Sequence, residues 1–373
     1  MRPRRPPVVR RAPGKLFVAG EYAVLEPATP AILVAVDRHV TVTVTACRDS
    51  DVVISSDLGA RRVRWRWHDG RLDVCGDPDE RRAASGLSHV VSVIEMVGRM
   101  QAERGLRLPP LEVAVSSRLH DNGTKFGLGS SGAVTVATVA AVTSFCRLEL
   151  PLGTRFRLAM LATAGLDVQA SGGDLAASTW GGWIAYQAPD RAAVLELARR
   201  RGVEHALRAP WPGFEVRRLP PPAGLRLEVG WTGAPASTAT LVAGPDGRRS
   251  WRGGAAHRRF VETSAACVRA SIAALESGDQ QGLLGQIRRA RQALARLDNE
   301  VGLGVFTAGL TALCDAAEAV GGAAKPSGAG GGDCGIALLD ARAAPDIAAL
   351  RRRWAAAGVR PLPIRPAMER NEQ

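Results

Sequence analysis

A glycine-dense turn that runs into a long uncharged segment constrains this chain more than any other stretch. It reads Lys125-Phe126-Gly127-Leu128-Gly129-Ser130-Ser131-Gly132, and an Ala/Val/Thr-rich run from Ala133 to Cys146 follows without a charged residue. Glycine lets the main chain approach groups that a Cβ would push away. A helix N-terminus adds unpaired N–H groups and the positive end of the macrodipole. Together these make a seat for an anion, phosphate above all. The spacing formally satisfies G-x-G-x-x-G through Gly127, Gly129 and Gly132. A polar stretch, Arg118 to Lys125, separates these glycines from the preceding strand, however, and a dinucleotide fingerprint follows its strand directly. No Gly-Lys-Ser/Thr occurs, so this is not a Walker A loop. Ser130 and Ser131 are placed to cap the helix, to donate to phosphate or to ligate magnesium. The plain alternative is a capped helix start that binds nothing.

The chain around this loop is long enough, at 373 residues, for two domains of ordinary size. Val8 to Gly20 reads as a strand, a Pro13-Gly14 turn and a second short strand. Ile32 to Thr45 is β-branched, with Val40 to Val44 alternating as a half-buried strand does. Val63 to Trp67 turns through Asp69-Gly70 and returns through Leu72 and Val74, with the arginines between the apolar residues in water. Further strands are expected at Leu111–Val115, Trp183–Gln187, Leu225–Trp231 and Ile336–Leu339. Helices are expected over Leu87–Met100 (capped by Ser85 or Ser88), Leu152–Ala164, His257–Leu275, Gln281–Leu297, Leu303–Val320 and Asp346–Ala357. Strands and helices mix without a regular βαβ rhythm, which points to an α+β fold. Pro220-Pro221-Pro222 supports neither a helix nor a central strand, and it divides the chain into residues 8–220 and 223–373.

The formal net charge of +13 is compatible with nucleic acid, an anionic surface or highly charged small substrates. Apart from a basic start, the arginines are spread along the chain, and there is no zinc-finger spacing, RNP-like motif or heptad seam. Small charged substrates are the better match, with neither nucleic acid nor membrane as partner. Six scattered cysteines without a C-x-x-C pair fit reduced thiols in a cytosolic protein. The basic, proline-rich start has no apolar core, and no apolar run is long enough for a bilayer, so a cytoplasmic protein is expected.

A second glycine-dense loop, Gly328 to Gly335, carries a large ordering cost unless its backbone takes positive φ or approaches a ligand. Lys325 and Ser327 stand at its mouth in the sequence. Lys15, just after Pro13-Gly14, and Asp174, just after Gly172-Gly173, would be unremarked alone, as a solvated lysine and a helix cap. With two glycine loops they complete the parts of a phosphoryl-transfer site: cradle, cation, carboxylate and acceptor loop.

Three ordered segments, Pro13-Gly14-Lys15 with Gly20-Glu21-Tyr22, Gly127 to Ser131, and Lys325 to Gly330, resemble the three motifs of the GHMP small-molecule kinases. Ala19 to Val24, Gly173-Asp-Leu-Ala176, Gly230-Trp-Thr232 and Gly330 to Gly335 bring it near the phosphomevalonate kinases of that superfamily. The resemblance implies a ribosomal-S5-like N-terminal domain and a ferredoxin-like C-terminal domain with the site between them. It implies ATP on Lys125, Gly127, Leu128, Gly129, Ser130, Ser131 and Gly132, with Mg2+ on Ser130 or Ser131. Lys15 and Asp174 match positions at the reacting centre. Glu21, Tyr22, Gly173, Ser237, Lys325, Ser327 and Gly328 fall in segments that face the acceptor, expected to be 5-phosphomevalonate. One departure is visible: several of these kinases place a Glu before the Asp segment to help hold magnesium, whereas Leu158 to Val168 offers only Asp167. An alcohol-phosphorylating GHMP kinase and a non-catalytic member that keeps the fold are the alternatives.

Overall fold

The computed structural model describes residues 6–48, 51–57, 62–121, 123–234 and 251–367. Its larger sheet has eight strands: β1 (Val8–Ala19), β2 (Pro30–Ala46), β3 (Val52–Ser56), β4 (Val63–His68), β5 (Arg71–Cys75), β6 (Leu111–Ser117), β9 (Trp183–Gln187) and β10 (Glu215–Leu219). The miniature hairpin β7 (His120–Asp121) and β8 (Thr124–Lys125) stands apart and leads into the first glycine loop. β2 is the spine. β1 runs antiparallel along it, while β9 and then β6 pair with its first and second halves. Along Val40 to Val44 the valines are buried and the threonines half-buried, as the alternation requires.

Among the described residues, α1 (Pro78–Ala84), α2 (Ser88–Glu103), α3 (Ser130–Phe145) and α5 (Gly173–Trp180) pack against strands of this sheet, and α4 (Leu152–Leu166) lies against α2, α3 and α5. α3 is apolar on every side because it is buried on nearly every side, between β1, β2 and the helices α2, α4 and α5. Its buried threonines satisfy themselves one turn back. Thr135, Thr138 and Thr143 donate to the carbonyls of Ser131, Val134 and Val139 at 2.8, 2.7 and 2.7 Å.

The smaller sheet is antiparallel in the order β12 (Ala323–Pro326), β13 (Cys334–Asp340), β11 (Leu225–Trp231), β14 (Arg360–Leu362). Read in chain order this is the 4-1-3-2 arrangement of a ferredoxin-like unit. Helices Ala255–Ser277, Gln280–Val301 and Ala308–Glu318 lie between its first two strands, and Ala344–Ala356 precedes the last. After β14 the chain returns to the larger sheet, where Val36 bridges Pro366 and Ala367 N–H donates to Ala35 O at 2.8 Å. No helix of the described residues is long and apolar enough to cross a membrane.

Three local expectations change. Val8 to Ala19 is one strand, not two with a turn. Pro13 has no N–H to give the ladder, and the sheet absorbs Pro13-Gly14 as an irregularity in which the β2 partner jumps from His39 to Ala35. Neither Ser85 nor Ser88 caps α2, because a short 3-10 turn, Ser85–Leu87, feeds the chain directly into it. The helix expected from Leu303 starts at Ala308, since the Asp298 carboxylate holds the N–H groups of Gly304 and Phe306 in a loop and Thr307 provides the cap.

Candidate active site

A cavity of about 520 Å3 opens between the two glycine loops. The strand irregularity positions the first of them. With no ladder partner for its N–H, Lys15 donates to the carbonyl of Leu128 at 2.8 Å, pinning the loop to β1. A Cβ on Gly14 would lie 2.6 Å from that same oxygen, so the approach requires glycine. On the other flank, Ser178 of α5 donates to the Pro13 carbonyl at 2.7 Å. β1 with Lys15, the loop, and α5 with Asp174 are therefore tied together through one short stretch of main chain.

Gly127 and Gly129 take φ of 74° and 72°, which l-residues with side chains avoid. α3 starts at Ser130 with no side-chain cap, leaving its first N–H groups free of protein acceptors of that kind. The Lys15 side chain lies over Gly129, where a Cβ would stand 2.9 Å from Lys15 Cε and 3.4 Å from Asp174 Cβ. Lys15 Nζ points on toward the second loop, 4.0 Å from where a Cβ of Gly328 would be. The ammonium thus sits between the loops, 5.3 Å above the centre of the Phe17 ring. Asp174 is the second residue of α5, not its cap. Its Oδ1 accepts from Leu175 N–H at 2.9 Å, and it makes no ion pair with Lys15. Lys125 is exposed at the rim.

Gly132 leaves room for that carboxylate: a Cβ there would meet Asp174 Cγ and Oδ2 at 2.5 Å. Gly132→Ala is accordingly expected to displace Asp174 and lower kcat/KM about 100-fold. Steady-state assay beside thermal melting checks this, and full activity in a folded protein would contradict the packing.

The second loop is held against the first. Gly328, Gly330 and Gly331 have φ of 93°, 76° and 71°, and a Cβ on Gly127 would collide with the Asp333 carboxylate. Cys334 Sγ donates to Phe126 O at 3.0 Å, and Tyr22 OH donates to Ala329 O at 2.5 Å. Lys325 and Ser327, expected at the mouth, are instead buried beneath it. Lys325 Nζ pairs with Glu21 Oε1 and donates to Pro326 O at 2.7 Å. Ser327 Oγ accepts from Phe17 N–H at 2.9 Å and donates to Phe17 O at 3.0 Å, stitching the C-terminal loop to β1.

The cavity thus gathers Lys15, Glu21, Tyr22, Lys125, Gly127, Gly129, Ser130, Ser131, Gly132, Asp174 and Gly328. Leu128 and Gly173 lie behind the wall, the latter against Leu33 and Phe17. Ser237 is outside the described residues. Sequence reasoning missed His89, Thr163 and Gln169, which also line the cavity. His89 Nδ1 lies 3.4 Å from Thr135 Oγ1. Burial lowers its pKa, with Lys125 lowering it further and Asp174 opposing, so the imidazole is neutral near pH 7. No motif marked these residues, each a single polar side chain in a different segment.

The geometry has close relatives. The model of the GHMP kinases N terminal domain matches residues 88–182 and that of the GHMP kinases C terminal matches residues 271–356. Phosphomevalonate kinase from Streptomyces sp. (strain CL190) is 70% identical over 366 residues, which are 97% of this chain and 98% of that one. A mevalonate kinase from Pyrococcus furiosus is 27% identical, with 89% of each chain covered. The solved structure of Streptococcus pneumoniae phosphomevalonate kinase in complex with phosphomevalonate and AMPPNP matches with a TM-score of 0.83 at 28% identity, over 96% of this chain and 99% of that one. Two glycine loops closing on one lysine and one aspartate, on a scaffold shared with these enzymes over 89–97% of its length, place the chain in the GHMP kinase family.

Proposed function

We propose that this protein transfers the γ-phosphoryl group of ATP to the phosphate of 5-phosphomevalonate, giving 5-diphosphomevalonate and ADP in the mevalonate route to isoprenoids. The observation that carries the reading is 70% identity, over nearly the whole of both chains, to a phosphomevalonate kinase. Two units, residues 8–220 and 223–373, each supply one glycine loop. The triphosphate lies along Gly127 to Gly132 with Lys125 at the rim, on the N-terminal N–H groups of α3. The acceptor enters from the side of Glu21, Tyr22 and Gly328. Free cysteines throughout fit an enzyme of the cytoplasm.

The residues present fit a magnesium ion. Ser130 and Ser131 offer hydroxyl oxygens, and Thr163 Oγ1, 7% exposed as a residue, lines the same cavity without a hydrogen-bond partner. Hard oxygens and retained waters are the ligands this ion takes. Bound there, it would neutralise charge on the β- and γ-phosphates.

The chain's own contribution is electrostatic. A phosphomonoester has a second pKa of about 6 and is mostly a dianion at neutral pH, so the nucleophile needs no general base. The obstacle is bringing two anions together. Lys15, between the loops, and the α3 N-terminus stabilise the negative charge held there. Asp174 orients the acceptor.

Incubation with ATP and each of 5-phosphomevalonate, mevalonate and homoserine, following ADP release, tests the assignment. Turnover is expected with the phosphorylated acid and not with the two alcohols. Turnover on an alcohol alone, or on none of the three, would overturn it.

A further inference from the structure

The phosphoryl end of the cavity is well supplied with cations, but among the described residues lining it no further lysine or arginine is left to partner the carboxylate of the acceptor. Among the described residues lining the cavity the lysines are Lys15 and Lys125, both committed to the phosphates. Phe17, Val24 and Leu25 also line the cavity and give it apolar surface that suits methylene and methyl groups. Gln169 lies on that loop, five residues before Asp174.

Hydrogen-bond accounting fixes how Gln169 presents itself. Arg252 Nη1 stands 2.6 Å from Gln169 Oε1, and Arg252 Nη2 donates to Glu26 Oε1 at 2.5 Å. A guanidinium has donors only, so the amide atom facing it is the oxygen, and the NH2 group is left on the other side with two donors. No described residue accepts from that nitrogen. Arg252 is itself well buried, its side chain 17% exposed. The loop is equally constrained. Gln169 N–H donates to Asp167 Oδ1 at 2.9 Å, Tyr186 OH donates to Ser171 O at 2.6 Å, and Ser171 Oγ accepts from Gly173 N–H at 3.3 Å. Glu26, Arg252 and Gln169 form a chain of contacts between three distant parts of the sequence, ending in an amide NH2 that has no acceptor among the described residues, on a residue that lines the cavity.

We propose that Gln169 binds the acceptor's carboxylate through its amide NH2, with Arg252 as the positioning residue that sets the amide's orientation. The assignment deepens the proposed function and rests on it. It makes the acceptor bidentate: phosphate at Lys15, carboxylate at Gln169, and the carbon chain along Phe17 and Leu25. Specificity for the acid then comes from a donor that any acceptor lacking the carboxylate leaves unpaired.

The test measures binding of 5-phosphomevalonate and of its decarboxylated counterpart, 3-hydroxy-3-methylbutyl phosphate, by calorimetry to wild type, Gln169→Leu and Arg252→Met. kcat and KM for 5-phosphomevalonate are measured alongside. Wild type is expected to prefer the carboxylated ligand. Both variants should weaken it roughly 10- to 100-fold in Kd and KM, with kcat within about threefold, and leave the decarboxylated ligand unchanged. The unchanged ligand doubles as proof that the variants are folded. Equal loss for both ligands would make Gln169 a scaffold of the loop and overturn the proposal, as would no loss for either. Wild type that binds the decarboxylated ligand but not 5-phosphomevalonate overturns this assignment and the functional reading together. Tight binding and turnover of 5-phosphomevalonate in Gln169→Leu overturns the assignment alone.

Discussion

Replacing Lys325 with methionine is expected to lower the unfolding free energy by about 3–5 kcal/mol, the cost of leaving a buried partner uncompensated. Lys325 is 1% exposed and Glu21 5% exposed, and their ion pair lies where the first strand of the larger sheet meets the smaller one. Removing one charge strands the other away from water. Removing both is a different matter, because two desolvation penalties vanish with the attraction. Glu21→Gln/Lys325→Met should therefore recover most of the loss. Chemical denaturation of the two single variants and the double variant measures the coupling. A single-variant loss under about 1 kcal/mol would place this pair with exposed ones and contradict its role as an interdomain anchor. Lys325, expected at the loop mouth, is held beneath it by this pair, whereas Glu21 both holds Lys325 and lines the cavity.

The second large effect is on chemistry. Lys15→Met is expected to lower the single-turnover rate about 100- to 1,000-fold, the range for loss of one preorganised group that stabilises transition-state charge. Its ammonium lies between the two glycine loops with no carboxylate of the described residues paired to it, so its field is available to phosphates. Asp174→Asn should cost about tenfold, because the isosteric amide keeps the packing against Gly132 and the acceptor oxygen is already ionised. The two variants differ in what they remove: one takes away attraction for two anions, the other a carboxylate with no proton to collect.

Much of this arrangement was legible because local chemistry dictated it. Asp69 and Gly70 take φ of 47° and 75°, the two left-handed residues that a tight Asp-Gly hairpin needs. Gly127 and Gly129 likewise occupy conformations that only glycine enters freely. Lys15, Asp174 and both loops converge as the motif order implied. What escaped depended on partners far along the chain. Pro13-Gly14 is a turn by every local rule, and only the irregularity in β2 and the carbonyl of Leu128 keep β1 continuous. Ser327 looks like a loop-mouth hydroxyl until the Phe17 main chain claims both its hydrogen bonds. Gln169 and Arg252 are 83 residues apart, and neither belongs to a motif, so nothing in the sequence announced that one aims the other.

We propose that charge, not base catalysis, drives transfer in this cavity, and the pH dependence of the single-turnover rate decides between the two. Wild type and Asp174→Asn are compared with saturating ATP and 5-phosphomevalonate from about pH 5 to pH 9, spanning the acceptor's second pKa of about 6. Both rates should rise through that pKa to a plateau with the same inflection, with Lys15→Met depressed at every pH. Abolition of transfer in Asp174→Asn, beside a Lys15→Met rate within about tenfold of wild type, would contradict the claim and return the role of base to Asp174.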